Sequence, residues 1–284
     1  MTKKHEFKFR QKDFTALRDI VYERTGIQLK DGKEEMVYTR ISRRLRALNL
    51  PDFRSYLHFL TSEAGDAEAI DFVNAMTTNL TRFFRENHHF THMREEVLRS
   101  KVIGSRMGVF EKKIRIWSAA CSSGMEAYSI AMTVLASVPR FSNWDVRILA
   151  TDIDTNMLER GKQGIYLEKD MEDVPDALLS KFVTIENGEA YMDEELKSII
   201  SFKRLNLMED WPIRQKFDII FCRNVMIYFD KDTQRHLVGR LMELLDEQGV
   251  LYVGHAESMT VARPGLVPIG KSTFRMTSKL EAVG

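Results

Sequence analysis

The stretch KIRIWSAACSSGMEAYSI, Lys113 to Ile130, decides the fold. Ile114 to Ser118 reads as a short apolar strand, six small residues from Ala119 to Gly124 follow, and a helix is expected from Met125 to Ser137. A strand that turns through small residues into a helix opens a parallel α/β sheet, where ligands gather at the carboxyl ends of strands. Small residues let a ligand approach the backbone and a helix N-terminus. The turn lacks the GxGxxG spacing that closes around a pyrophosphate, which disfavours nicotinamide and flavin cofactors.

Downstream, the alternation continues. Val146 to Ala150 and Phe217 to Cys222 read as strands, Thr155 to Lys162 and Lys231 to Asp246 as helices, and Val250 to Gly254 as the next strand. Residues 166–204 break the rhythm with short pieces around an Asn187-Gly188 turn and are expected to be a small β-rich insertion that includes Ile199 to Lys203. Asp152 follows the second strand, where a carboxylate accepts hydrogen bonds from the two hydroxyls of a ribose. A ribose without a pyrophosphate points to S-adenosylmethionine, although an aspartate there is also an ordinary turn or cap residue.

Upstream, apolar residues recur at helical spacing in 14–25 and 36–48, and the predicted organisation is a helical domain over 1–95, a linker over 96–112 containing Gly104 and Gly108, and an α/β domain over 113–284. A long helix is expected to start near Thr81. In the second helix Tyr38, Ile41 and Leu45 share one face, while Arg40, Arg43 and Arg44 fall on another. Residues 1–50 carry 13 Lys and Arg against 7 Asp and Glu, although the whole chain of 284 residues is only +1. This cationic face is by default a solvated one, and charge alone does not choose among nucleic acid, membrane surface and acidic protein.

Composition narrows the classes. With 44% hydrophobic and 29% charged residues and only 6 prolines, the chain suits a globular protein with a real core. No stretch approaches the roughly 18 apolar residues of a membrane span, and the basic start is not followed by an apolar signal core. The two cysteines, Cys121 and Cys222, suggest neither a disulfide scaffold nor a zinc site. A cytoplasmic protein is expected, with no metal. The adjacent His88 and His89 do not share a helix face as ligands would.

Five strings occur in order: TTNLTRFFRE (77–86), IRIWSAACSSG (114–124), ATDID (150–154), NLM (206–208) and FDIIFCRNVMIYFDK (217–231). In these the sequence resembles the chemotaxis receptor methyltransferases of the CheR type, from about residue 10 to about 277. The resemblance implies an all-α N-terminal domain followed by a Rossmann-like methyltransferase domain of α/β class, with a small antiparallel β-subdomain inserted. It implies methyl transfer from S-adenosylmethionine to glutamate side chains on the cytoplasmic helices of chemoreceptors, forming methyl esters that tune chemotactic adaptation. The family's cofactor contacts fall on Asn79, Thr81, Arg85, Glu126, Asp152, Asn206, Leu207, Arg223 and Asn224, and its active-site pair on Arg85 and Tyr228. It also supplies an acidic partner for the docking stripe Arg40, Arg43 and Arg44. The enzyme is expected to be a monomer recruited to membrane receptor arrays, without nucleic acid and without insertion into the membrane.

One departure is visible: where the family usually reads GEEPYS, this chain has Met125 and Ala127 in place of the first acid and the proline. Other readings attach to the same residues. Ser123 and Glu126 also have the spacing of a capping box, and Arg82 and Glu86 that of a helical ion pair. Methylation of a nucleic-acid base would normally bring a (D/N)PPY-like loop where Cys222-Arg223-Asn224-Val225 stands. A receptor-binding module without turnover would not need Arg85, Asp152, Asn224 and Tyr228 together. In some members of the family the β-subdomain binds a peptide at the receptor C-terminus. The loop between the corresponding strands here, Thr184 to Ala190, allows only a tight turn, with Glu186 and Glu189 beside it, so independence from that tether is expected.

Overall fold

The computed structural model describes residues 5–139 and 143–277; the two ends of the expected domains, 1–4 and 278–284, lie outside the described residues. Four helices open the chain: α1 (Gln11–Thr25), α2 (Glu34–Ala47), α3 (Phe53–Leu60) and α4 (Asp66–Met76). Phe14, Leu17, Val21, Ile41, Leu45, Tyr56 and Phe72 recur at helical spacing and close over one another in a core of their own.

Residues 79–87 form no helix, so the expected start near Thr81 moves to His88. From there one helical run comprises α5 (His88–His92), a π-turn segment (Met93–Leu98) and α6 (Arg99–Arg106). The expected linker over 96–112 is therefore mostly helix. Leu98 and Val102 are buried in the core of the following domain, and Lys101 forms an ion pair with the buried Asp218. The hydrophobic cores divide between Met76 and Phe83 rather than in 96–112. In the non-helical loop before this run, Arg82 does not pair with Glu86 but reaches Asp173 at 3.0 Å.

The remaining chain builds a seven-stranded sheet. Its strands are β1 (Lys113–Ala119), β2 (Asp145–Asp152), β6 (Ile200–Arg204), β7 (Phe217–Cys222), β8 (Leu245–Val253), β9 (Leu266–Gly270) and β10 (Thr273–Met276). The order is β6-β2-β1-β7-β8-β10-β9, parallel as far as β8 and antiparallel beyond it. Helices α7 (Met125–Ser137), α8 (Thr155–Gln163) and α11 (Lys231–Leu244) connect these strands. Alternate side chains of β1 feed two cores, Ile114 and Ile116 on one face and Trp117 and Ala119 on the other, as period-two geometry requires.

The insertion is smaller than expected. Strands β3 (Ile165–Leu167), β4 (Val183–Glu186) and β5 (Glu189–Met192) make a separate antiparallel sheet in the order β3-β5-β4, with the short helices α9 (Asp176–Phe182) and α10 (Glu194–Ser198) beside it. Ile200 to Arg204 instead pairs in parallel with β2 and belongs to the main sheet. The β4–β5 turn is the expected Asn187-Gly188 pair, both at positive φ (53° and 80°). A four-residue helix, α12 (Ser258–Val261), follows β8. No helix among the described residues is long and apolar enough to cross a membrane.

The arginines of α2 do not form one free cationic stripe. Arg40 donates to the carbonyls of Ala75, Met76 and Thr77 at 2.6–3.2 Å and so caps the end of α4. Arg44 holds both carboxylate oxygens of the buried Glu68, whose Oε1 also accepts from the Tyr56 hydroxyl, and reaches Asp71. That partnership raises the Arg44 pKa, through the Glu68 hydrogen bond first. Arg43 alone of the three is exposed. Arg44→Ala strands the Glu68 carboxylate and is expected to cost about 3 kcal/mol of stability, whereas Arg43→Ala should stay within about 0.5 kcal/mol. Urea titration of the two variants checks the contrast.

Candidate active site

The turn after β1 is held in unusual backbone, which only Gly124 among its residues adopts without strain. Ala120, Ser122 and Gly124 all have positive φ (61°, 50° and 85°), and a Cβ at Gly124 would meet Gly161 Cα and the Phe202 ring at 3.0 Å. The turn is fastened by Cys121 N–H to the Thr151 carbonyl at 2.9 Å and by Ser122 N–H to Asp152 Oδ2 at 2.7 Å. Asp152 Oδ1 accepts from Asp154 N–H at 2.9 Å. Each oxygen of this buried carboxylate thus has a backbone partner and keeps a lone pair for a ligand. Burial raises its pKa to about 6, and the backbone donors only partly oppose that.

A single cavity opens at the carboxyl ends of β1, β2 and β7, and it is lined by every one of Asn79, Thr81, Arg85, Glu126, Asp152, Asn206, Leu207, Arg223, Asn224 and Tyr228. Several of these side chains hold the walls as well. Asn79 Nδ2 donates to Asp154 Oδ2 at 2.7 Å. The Asn206 amide donates to the Arg24 carbonyl at 2.8 Å and accepts from Met208 N–H at 3.0 Å. Glu126 forms no capping box: Gly124 is the N-cap without a side-chain bond. Its carboxylate accepts from Ser118 Oγ at 2.7 Å and from Arg223 Nη1 at 3.0 Å, and burial raises its pKa against the pull of that arginine.

At the mouth, Arg85 donates to its own loop at the Leu80 carbonyl, 2.8 Å away, and Tyr228 is half-buried. The Tyr228 carbonyl accepts from Gln28 N–H at 2.8 Å. Thr25 and Ile27, from the helical domain, line the cavity too, as do Ala120, Cys121 and Phe229. Gly26 permits this approach, because a Cβ there would stand 2.7 Å from Met208 Sδ. Nothing in the sequence pattern marked Thr25 or Ile27. Glu257 was also unmarked: buried, it accepts from Asn224, Gly254 and Ile227 N–H groups at 2.9, 2.7 and 3.3 Å and shapes the turn after β7. Arg40, Arg43 and Arg44 stand outside the cavity lining.

This placement is matched by relationship. The profile of the CheR methyltransferase all-alpha domain matches residues 12–77 and that of the CheR methyltransferase SAM binding domain residues 79–274. The chain belongs to the CheR methyltransferase family. It is 42% identical to a probable chemotaxis protein methyltransferase of Rhizobium etli over 92% of this chain and 98% of that one. Chemotaxis protein methyltransferase 2 of Pseudomonas aeruginosa is 41% identical, covering 95% of this chain and 94% of its own. The chemotaxis protein methyltransferase of Escherichia coli is 39% identical over 87% and 84%. The family boundary at 77–79 falls between the helical-domain core, which ends at Met76, and the two cores of the sheet domain, which begin at Phe83.

S-adenosylmethionine is the cofactor of this family domain, and the cavity suits it: a buried carboxylate with open lone pairs, a turn of small residues and no pyrophosphate cradle. Ribose hydroxyls donating to Asp152 would favour its ionised form, so binding through it should lower its pKa from about 6 and release a proton. In the free protein the raised pKa means that ionising Asp152 costs stability as pH rises from 4 to 6, and the ligand offsets this. Affinity should therefore strengthen from pH 5 to pH 7 and level off above. Asp152→Asn is expected to flatten that dependence and weaken binding roughly 5- to 150-fold, about 1 to 3 kcal/mol. Calorimetric titration with S-adenosylhomocysteine at four pH values measures both.

Proposed function

We propose that the chain is a chemoreceptor methyltransferase of chemotactic adaptation, moving the methyl group of S-adenosylmethionine to glutamate side chains on receptor cytoplasmic helices. The observation that carries this reading is the meeting of Arg85 and Tyr228 in the lining of the same cavity that holds Asp152 at its wall. When bound, S-adenosylmethionine supplies a methyl group on a positively charged sulfur. The acceptor needs no general base, because a glutamate side chain is already ionised at neutral pH. The residues have to align the carboxylate and strip its water.

Arg85 suits the first task. Its guanidinium lies at the mouth with one N–H spent on the Leu80 carbonyl, which leaves donors for a carboxylate. The Tyr228 hydroxyl orients an oxygen, and its ring offers an electron-rich face to positive charge. Asp152 would hold the ribose. Asn79, Asn206 and Glu126 fix the walls that the cofactor meets, while Thr81, Leu207, Arg223 and Asn224 complete its surroundings. We assign receptor docking to the exposed Arg43, with Arg40 and Arg44 framing the helix that presents it. The enzyme acts as a monomer in the cytoplasm at membrane receptor arrays.

Two measurements test this. Incubation with labelled S-adenosylmethionine and receptor-bearing membranes should give methyl groups that mild base releases as methanol. Tyr228→Phe, which removes one hydroxyl and little volume, is expected to lower the rate roughly tenfold or more with cofactor affinity unchanged; a wild-type rate would reduce Tyr228 to packing.

The β-subdomain bears on recruitment. Its outer strand β4 ends in a two-residue turn with Glu186 and Glu189 facing each other across it, a poor seat for an acidic peptide terminus. Receptors with and without a C-terminal peptide should be methylated at equal rates, and titration of the isolated peptide should give no heat. Saturable low-micromolar binding would refute that independence.

A further inference from the structure

The loop that delivers Arg85 is held in a conformation that its own residues disfavour. Phe84 and Glu86, on either side of Arg85, both have positive φ (49° and 56°), and neither is glycine. Such backbone persists only where the surroundings over-determine it. On one side Phe84 N–H donates to Ser129 Oγ at 2.9 Å, and Arg223 Nη2 donates to the Arg85 carbonyl.

The other fastening is the Glu86 side chain. Its Oε2 lies 3.3 Å from Arg223 Nη2 and 3.6 Å from His89 Nδ1. Oε1 is 3.5 Å from both Asn224 Nδ2 and His255 N–H. Thus one carboxylate is placed against the turn after β7, the segment after β8 and the start of α5. It is absent from the cavity lining, so it does not meet cofactor or substrate there.

We propose that Glu86 is a positioning residue for methyl transfer, acting through Arg85 by locking the 84–86 turn onto Arg223 and Asn224. The inference rests on the function proposed above. Arg223 remains neutralised by Glu126 when Glu86 is changed, so loss of Glu86 releases the turn without stranding the cation. Glu86, His88 and His89 also bring three donor atoms within 4.8 Å of one another. A metal ion there would face the buried Arg223 guanidinium at close range, and like charges so near each other repel. The carboxylate is better explained by the cation it already has.

The test is a kinetic cycle. In Glu86→Gln, which keeps shape and removes charge, kcat with receptor should fall at least tenfold, with the receptor KM, the dissociation constant for S-adenosylhomocysteine and the melting temperature little changed. In an Arg85→Ala background the same substitution should lower kcat less than twofold further, because the two act as a unit. A wild-type kcat in Glu86→Gln, additive losses in the double variant, a parallel loss of cofactor affinity, or a fall in melting temperature that accounts for the lost rate would each overturn the proposal. Absence of base-labile methyl transfer by the wild-type protein would overturn the function reading instead.

Discussion

A guanidinium removed from water needs negative charge and acceptors around it, and Arg223 is surrounded by them. Its side chain is 2% exposed, between Glu126 and Glu86. Glu126 opens α7, the helix that follows the small-residue turn, and Glu86 belongs to the loop between the two domains. One cation therefore joins the ligand end of β1, the end of β7 and the entry loop. Removing Arg223 would leave the Glu126 carboxylate buried without its cation, which costs far more than such a pair contributes at a surface. The carbonyl of Arg85 takes part in the same arrangement, so this cavity-lining residue is anchored through its own backbone while its guanidinium keeps donors free.

The helical domain is joined to this centre by equally local contacts. Gln28 N–H on the Tyr228 carbonyl, the Asn206 amide on the Arg24 carbonyl and the Tyr22 hydroxyl on Asp230 form one seam along the end of α1. Asp230 also caps α11 by accepting from Asp232 and Thr233 N–H. A single aspartate thus starts a sheet-domain helix and receives a side chain from the other domain.

Much of this was legible. Buried parallel strands are dense in apolar residues, and that is why Phe217 to Cys222 and the β1 segment stand out in spite of Asp218 and Arg115. Residues at strand ends could be placed from topology alone, Asp152 above all. The loop of 77–86 has no such periodicity, and its meaning came through family resemblance. Residues 96–106 read as linker because their charged residues, Gly104 and the wider π-turn blur the 3.6-residue period that Leu98 and Val102 would otherwise mark. Ile200 to Arg204 follows the insertion in sequence, yet pairs with β2, and nearness along the chain does not reveal which sheet a short strand joins. Arg40 and Arg44 looked like surface charge because their acceptors lie 24 to 38 positions further on. Glu257 and Gln28 act through backbone groups far along the chain, and no local pattern encodes such pairings.

The Gln28–Tyr228 bond has a consequence for how this architecture can be divided or inherited. It joins two main-chain atoms, so side-chain replacement on either residue leaves it intact, while any change in the path of the chain after α1 displaces it. The loop from Thr25 to Gln28 is thus bound by shape where sequence is free to drift, and Gly26, pressed against Met208, is the point at which shape turns back into sequence. Exchange of helical domains between relatives would succeed according to the fit of that short seam, whatever the overall likeness of the parts exchanged.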